Sequence, residues 1–290
     1  MKRIFTITAL TLAFITLSAQ TDRFEQRYNL IVSKLGPAGV GVETLLDSWA
    51  KADSTDEKLL AARFNYYLTK AQRTEIVKKT ANKYLGMDPV LTLKDSLGQD
   101  VCYYQEVFYD DELFGKAVKS AERAVKLYPD KIDYRFMKAN AYISYEKESP
   151  DMALAYLMDL IDVDAARKGP WVFDGNKVEE GFFEEAIQEY CLSFYQIGSV
   201  QAREAFYALS QKMNGLYPEN LSFINNIGTY HLVAKEDYKT ALKYYKKVLK
   251  KNPEDQVALQ NGVLAARRSG NEKLEIKYRQ ALTALTVPAK

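Results

Sequence analysis

The sequence has a single histidine, His231, and only two cysteines, Cys102 and Cys191, in 290 residues. A histidine-dependent triad therefore has one candidate base, with no serine or cysteine in a recognisable nucleophile elbow and no assigned acid. The histidine and the two cysteines lie too far apart in sequence to match a zinc spacing. No glycine-rich loop suited to cradling a phosphate is present. The acidic clusters Asp159–Asp162–Asp164 and Asp174–Gly175–Asn176 with Glu179 and Glu180 offer oxygen donors. They miss the alternating ligands and sixth-position glycine of a calcium loop, and read instead as a helix end and a turn. Nothing points to a paired-carboxylate glycosidase. The sequence thus names no catalytic, cofactor-binding or metal-ligating residue, and the expectation is a protein that is not an enzyme.

Net charge is also missing. The chain has 40 Lys+Arg against 38 Asp+Glu, and two of those cations, Lys2 and Arg3, stand in the first three residues. The rest of the chain is balanced, which argues against nucleic acid as a partner and against a polybasic membrane dock. Long apolar runs are missing too. The one candidate, Ile4–Leu17, falls short of the ~18 residues a spanning helix needs. Preceded by two cations and followed by Ser18 and Ala19, it reads as a secretory signal peptide over residues 1–19. No cysteine near the cleavage point supports lipid attachment. A periplasmic or secreted monomer is expected, with no membrane insertion after cleavage. Cys102 and Cys191 sit in apolar stretches, DVCYYQEVF and EYCLSFYQI, read as helical. Buried free thiols are expected there, because a disulfide needs the two Cα atoms within ~7 Å.

What the sequence does contain is a repeated grammar. In YKTALKYYKKVLKKNPED, Ala241 is followed at helical spacing by Tyr245 and Val248, and then by Pro253. FGKAVKSAERAVKLYPD repeats this with Ala117, Ala121, Ala124 and Pro129, and an aromatic (Phe114, Tyr238) precedes each set. Such spacings place the residues on one helical face. The proline ends the helix, since it cannot donate an N–H and disfavours helix in its predecessor. The small alanine lets another helix approach. Before Tyr238, SFINNIGTYHLV carries Ile224, Ile227, Gly228 and His231 on its inner stripe. Gly228 costs ~1 kcal/mol of helix propensity relative to alanine, a cost that close packing offsets.

These residues resemble the tetratricopeptide repeat, W-x2-L-G-x2-Y, then A-x3-F, then P. The unit 221–254 fits best. The unit 98–131 fits in its second helix, with DVCYYQEVFYDD read as its first. The unit 132–164 keeps Ala139, Tyr142 and Ala153, and 183–219 is weaker, with Ala205 and Pro218 out of register. The tail 256–285 reads as a degenerate capping pair. The resemblance implies an all-α, right-handed α-solenoid of antiparallel helix hairpins, while Pro89 and the alternation of Val90 and Thr92 with Leu91 and Leu93 read as a short extended segment or hairpin near 88–100. The expected organisation is a signal peptide over 1–19, degenerate N-terminal helical repeats over 20–87, the extended insertion at 88–100, and a superhelix over 101–290. A loop insertion at 165–183 interrupts that superhelix, with Trp171 packed on the solenoid.

In this family the first helices line a concave groove that usually binds an extended peptide or a partner's helix. Carried over by position, the groove candidates are Glu106 and Tyr109; Phe136, Asn140 and Ile143; and Asn225, Thr229 and Leu232. Chaperone-binding members use lysine, asparagine and arginine at set groove positions, and Glu106 and Phe136 stand on two of those surfaces here. The resemblance implies a scaffold or adaptor that binds a protein or peptide, and the expected leader places it in the cell envelope. The alternative is a glycan- or small-molecule-binding component in which Trp171 supplies a stacking surface.

Overall fold

A computed structural model describes residues 22–286; the expected leader, residues 1–19, lies outside the described residues. The described chain folds into 12 helices together with a three-stranded sheet and a two-stranded hairpin. It divides into two compact units. One takes in the chain up to Asn82, Pro89–Tyr145 and Gly169–Val178; the other takes in Lys83–Asp88, Glu146–Lys168 and Glu179 onward.

The first unit opens with α1 (22–35), α2 (Val42–Ala52) and α3 (Glu57–Ala71). They close around Trp49, whose indole stacks with Phe24 at 6.0 Å and lies against Tyr28 at 6.5 Å. Helix α3 starts where the Asp56 carboxylate accepts from the N–H groups of Lys58 and Leu59, satisfying two donors the first turn would leave unpaired.

Beyond Ala71 the chain departs from its sequence reading. Residues 72–79, expected to be helical, form β1 (Gln72–Lys79). The predicted extended segment holds β2 (Leu91–Lys94), and the stretch expected to be a first repeat helix is β3 (Asp100–Tyr109). Both β1 and β2 pair with β3 in antiparallel register, Gln72 opposite Tyr109 and Thr92 opposite Cys102. Along β3 the buried residues include Cys102, Tyr104 and Glu106, an alternation of two that belongs to a strand. The physical reason is composition: Val101, Cys102, Tyr103, Tyr104, Val107, Phe108 and Tyr109 are β-branched, aromatic or small, and they favour a pleated, half-buried surface.

The ribbon of β1 and β3 has an architectural consequence. Strand β3 passes directly into α4 (Asp111–Leu127), where the Asp110 N–H donates to the Ala71 carbonyl at 2.9 Å. Helices α3 and α4 are thus the two arms of one antiparallel hairpin whose turn has been replaced by the sheet. The true partner of α4 is α3: Phe64 packs among Phe114, Ala117, Val118 and Ala121, and Leu60 lies beside Ala124. The phase read for α4 holds, with Ala117 and Ala124 fully buried and the helix ending two residues before Pro129. Ala139 is buried and Tyr142 half-buried in α5 (Asp133–Glu146).

The loop insertion is ordered. Strands β4 (Val172–Phe173) and β5 (Asn176–Lys177) are joined by Asp174 (φ 47) and Gly175 (φ 75), the left-handed pair of a type I′ hairpin. Val172 is clasped by the start of α5, donating to the Asp130 carbonyl and accepting from Ile132 N–H, both at 3.0 Å.

The second unit is a row of helices: α6 (Asp151–Ala166), α7 (Phe182–Ile197), α8 (Val200–Leu216), α9 (Leu221–Val233), α10 (Tyr238–Lys251), α11 (Gln256–Arg268) and α12 (Glu272–Thr286). From α7 onward each packs on the next, and α7 touches α9 as α9 touches α11, the contact pattern of stacked hairpins. Side-chain caps mark the starts: Ser199, Asn220, Asp237 and Asp255 each accept from a backbone N–H of the following turn. The packing expected of Ala241, Tyr245, Val248 and Gly228 is present. The first three are fully buried, and a Cβ on Gly228 would stand 2.8 Å from Tyr245 Cε1. Pro253 follows the end of α10.

Two units read as weak are closer to the pattern than expected. Gly262, one repeat length after Gly228, gives the same close approach, 2.8 Å from Tyr278 Cδ2. In α7 the buried stripe Ile187, Tyr190, Cys191, Phe194 has the spacing of Ile224, Ile227, Gly228, His231, so Cys191 fills the small-residue place. It is a buried free thiol, and burial pushes its pKa up to about 12. Cys102 is also free and buried, but on β3 rather than on a helix.

Candidate functional site

The groove candidates separate into three groups with different fates. Glu106 and Tyr109 stand on β3, so the helix face assigned to them does not exist. Glu106 is buried with the Lys79 ammonium 3.7 Å away. The Tyr109 ring packs on Phe114 and Tyr145, at 5.6 and 5.7 Å, and its hydroxyl bonds Ser144. Both are structural members of the α3–α4 hairpin and its sheet.

Phe136, Asn140 and Ile143 do share one face of α5, by their spacing. Asn140 is exposed and Ile143 half-buried, while Phe136 lies against Phe173 of the β4–β5 hairpin at 6.2 Å. Trp171 belongs to the same assembly. Only 2% of it is exposed, and the Arg135 guanidinium sits 5.3 Å from its ring. It packs on the helices as expected, but it presents no open face for stacking on a sugar or a small ligand.

On α9, Asn225 and Leu232 are buried and Thr229 half-buried. Helix α11 is the reason. The Asn225 amide donates to Asp255 at 3.1 Å, and Leu232 sits in one apolar cluster with Ala258, Leu259, Ala265 and Ala266. Thr229 Oγ1 accepts from Asn261 at 3.1 Å and lies 3.3 Å from the Tyr245 hydroxyl. A matching contact joins α9 to α7, where Gln188 and Asn226 exchange amide hydrogen bonds at 3.3 and 2.8 Å. The first helices are therefore laced together by amides and a threonine. Sequence reasoning does not single out Asn226, Gln188 and Asn261; polar side chains one position off an apolar stripe are the available sign.

The first helices of this unit leave a few large apolar side chains in water. Leu192 and Tyr195, three residues apart and so adjacent on the helix, are 37% and 39% exposed. Val233 on α9 and Val257 on α11 are also exposed.

His231 occupies neither a groove nor a catalytic cluster. Its ring is parallel to Tyr244 at 5.8 Å and edge-on to Tyr207 at 5.8 Å, while Tyr207 and Tyr230 stack at 4.0 Å. The Tyr230 hydroxyl bonds the Glu204 carboxylate at 2.7 Å, and Lys235 reaches the same carboxylate at 2.9 Å. Those two partners, Tyr230 first, hold Glu204 below its usual pKa. This is a packing cluster tying α8, α9 and α10.

The structure defines an α-solenoid of antiparallel hairpins in its second unit, with one further hairpin, α3–α4, split by a sheet in its first. No family model matches the chain, and no curated protein matches it in sequence. Two crystal structures of MamA are similar to it. Each is 16% identical, they cover 59% and 61% of this chain and 88% of each MamA chain, and the TM-score is 0.37 in both cases. A likeness at that level does not extend to function or to residue roles.

Proposed function

We propose that the chain is a non-enzymatic interaction scaffold of the cell envelope, exported by the leader over residues 1–19, and that it holds a protein or peptide partner on its row of first helices. The observation that carries this reading is the Leu192–Tyr195 pair, each more than a third exposed on a helix whose other face is buried, with the Tyr195 ring held against Phe206 at 5.5 Å. A scaffold of stacked hairpins offers such side chains on a rigid support, and aromatic anchors of this kind dominate binding energy at protein interfaces. The glycan alternative loses its main support, because Trp171 is packed away.

The test is co-purification of the tagged chain from its native envelope beside a Leu192→Ser/Tyr195→Ser variant, with melting curves to establish that both are folded. A defined protein that is bound by the wild type and released by the variant supports the reading. Equal recovery by both, or no protein with either, overturns the assignment of this face. Mass spectrometry of the exported chain beginning at Gln20 checks the leader.

A further inference from the structure

Helix α10 carries Lys239, Lys243, Lys246, Lys247, Lys250 and Lys251, all exposed, and no acidic residue. Of the six, Lys251 bonds Glu219 at 2.8 Å; the other five reach no carboxylate among the described residues. Like charges follow each other four residues apart at 239/243, 243/247, 246/250 and 247/251, a spacing that destabilises a helix. The negative end of the helix dipole favours Lys250 and Lys251 but not Lys239 or Lys243, which lie towards the positive end. Two lysines on α4 and α5 do find carboxylates, Lys116 with Glu112 and Lys138 with Glu122, both at 2.7 Å.

These lysines wall a cleft. A hollow of about 580 Å³ is lined by Lys239, Lys243, Lys246, Lys247 and Lys250, with Leu242 in its floor and Ser269 and Asn271 of the α11–α12 turn opposite. A second hollow of about 360 Å³ shares Lys246 and Lys250 and adds Lys277 and Tyr278 from α12. No acidic residue lines either one. The nearby carboxylate of Glu275 is occupied by Arg267 and Arg279.

We infer that this cleft between α10 and α12 binds an acidic peptide segment of a partner protein. Lysine is a point charge on a flexible stem and does not fix a planar, bidentate geometry, which suits a chain of carboxylates more than a single anion. From Lys239 to Lys250 the wall runs ~16 Å at 1.5 Å per residue, enough for about five extended residues. Leu242 and Leu249 supply an apolar floor for side chains between the charges. The balanced charge of the chain beyond the expected leader disfavours a nucleic acid. The inference concerns the second-helix side and stands apart from the first-helix row.

The probe is a fluorescent oligoglutamate peptide about eight residues long, with its glutamine counterpart, titrated into the exported chain at low and physiological salt. Specific binding of the glutamate peptide, weakened by salt, is expected. Lys243→Gln/Lys246→Gln/Lys250→Gln should weaken it roughly tenfold, the sum of three exposed charge contacts. That variant should melt no lower than the wild type, since it removes like-charge neighbours. A control at Lys119→Gln/Lys126→Gln on α4 should bind as the wild type does. No binding by the wild type, equal binding by the triple variant, or displacement of the peptide by anionic vesicles or polyphosphate at far lower charge concentration would each overturn the assignment.

Discussion

Replacing Gly228 with alanine puts a methyl carbon 2.8 Å from Tyr245 Cε1 and 3.2 Å from both Tyr245 Cδ1 and Tyr244 Cβ. Carbon atoms in contact prefer ~3.5–4.0 Å, so something must move. Tyr245 has little freedom: it is fully buried, and its hydroxyl lies 3.3 Å from Thr229. Overpacking of this kind costs ~1–3 kcal/mol, against which the better helix propensity of alanine returns ~1 kcal/mol. A net loss of about 1 kcal/mol is expected, or a fall of about 2–4 °C in melting temperature for a unit of this size. Gly215 on α8 is the internal comparison, because nothing lies within 4 Å of the Cβ it would acquire. There the propensity gain of up to ~1 kcal/mol stands alone, and the two variants should shift stability in opposite directions. Urea unfolding followed by circular dichroism measures both. A Tyr245→Leu background should remove most of the Gly228→Ala cost, which a double-mutant cycle isolates. If Gly228→Ala proves as stable as Gly215→Ala, the close approach of α9 and α10 is not what selects glycine.

Ala241→Leu should cost ~1–3 kcal/mol, since Ala241 is fully buried, while Lys243→Leu on the exposed face of the same helix should stay within ~0.5 kcal/mol; equal melting shifts would contradict the phase of α10. Burial holds the His231 imidazole below its usual pKa, with Asp237 opposing and Lys235 assisting. The unfolded chain then takes up the proton at higher pH than the folded one, so this contribution to stability is complete above ~6.5 and is lost as pH falls towards the folded pKa. Because His231 is the sole histidine, one imidazole resonance reports it directly, and a midpoint at or above ~6.5 would refute the packing described around it.

The hairpin phases are legible because they are written in side-chain size. Alanine at 117, 124 and 241, glycine at 228 and proline at 129 and 253 each have one physical use at a helix contact or end. The first helix assigned to α4 fails for a specific reason. Val101, Cys102, Tyr103 and Tyr104 form a continuous apolar run that satisfies helical and strand spacing alike; the deciding sign is the density of β-branched and aromatic residues. Strand β1 follows α3 without a glycine or proline between them, so no local signal marks the change, and pairing with β3, far along the chain, determines it. Cys191 is hidden because a small-residue place is sought among alanines and glycines, although a buried thiol fills the same volume class. The groove positions on α9 fail differently. They do lie on a helix, but whether a first helix shows that face to water depends on how closely its neighbour approaches, and α11 closes over Asn225 and Leu232.

That closure bears on how the proposed scaffold would bind. Each amide contact between first helices, Gln188 to Asn226 and Asn261 to Thr229, contributes ~0.5–1.5 kcal/mol, yet is directional in a way apolar contact is not. Together they fix the rotation of each hairpin on the next, so on the proposed reading the row would be ordered before any partner arrives. A partner then meets a surface with little left to order, and the usual entropic cost of association falls mainly on its own side. The same lacing consumes the polar groups a generic peptide groove would offer to a backbone. On the proposed reading, affinity on the first-helix side would come from few anchors, Leu192 and Tyr195 foremost, and specificity from what fits between them. Serine at either position should therefore weaken a partner far more than a change at Asn225 or Thr229 that leaves the hairpins folded.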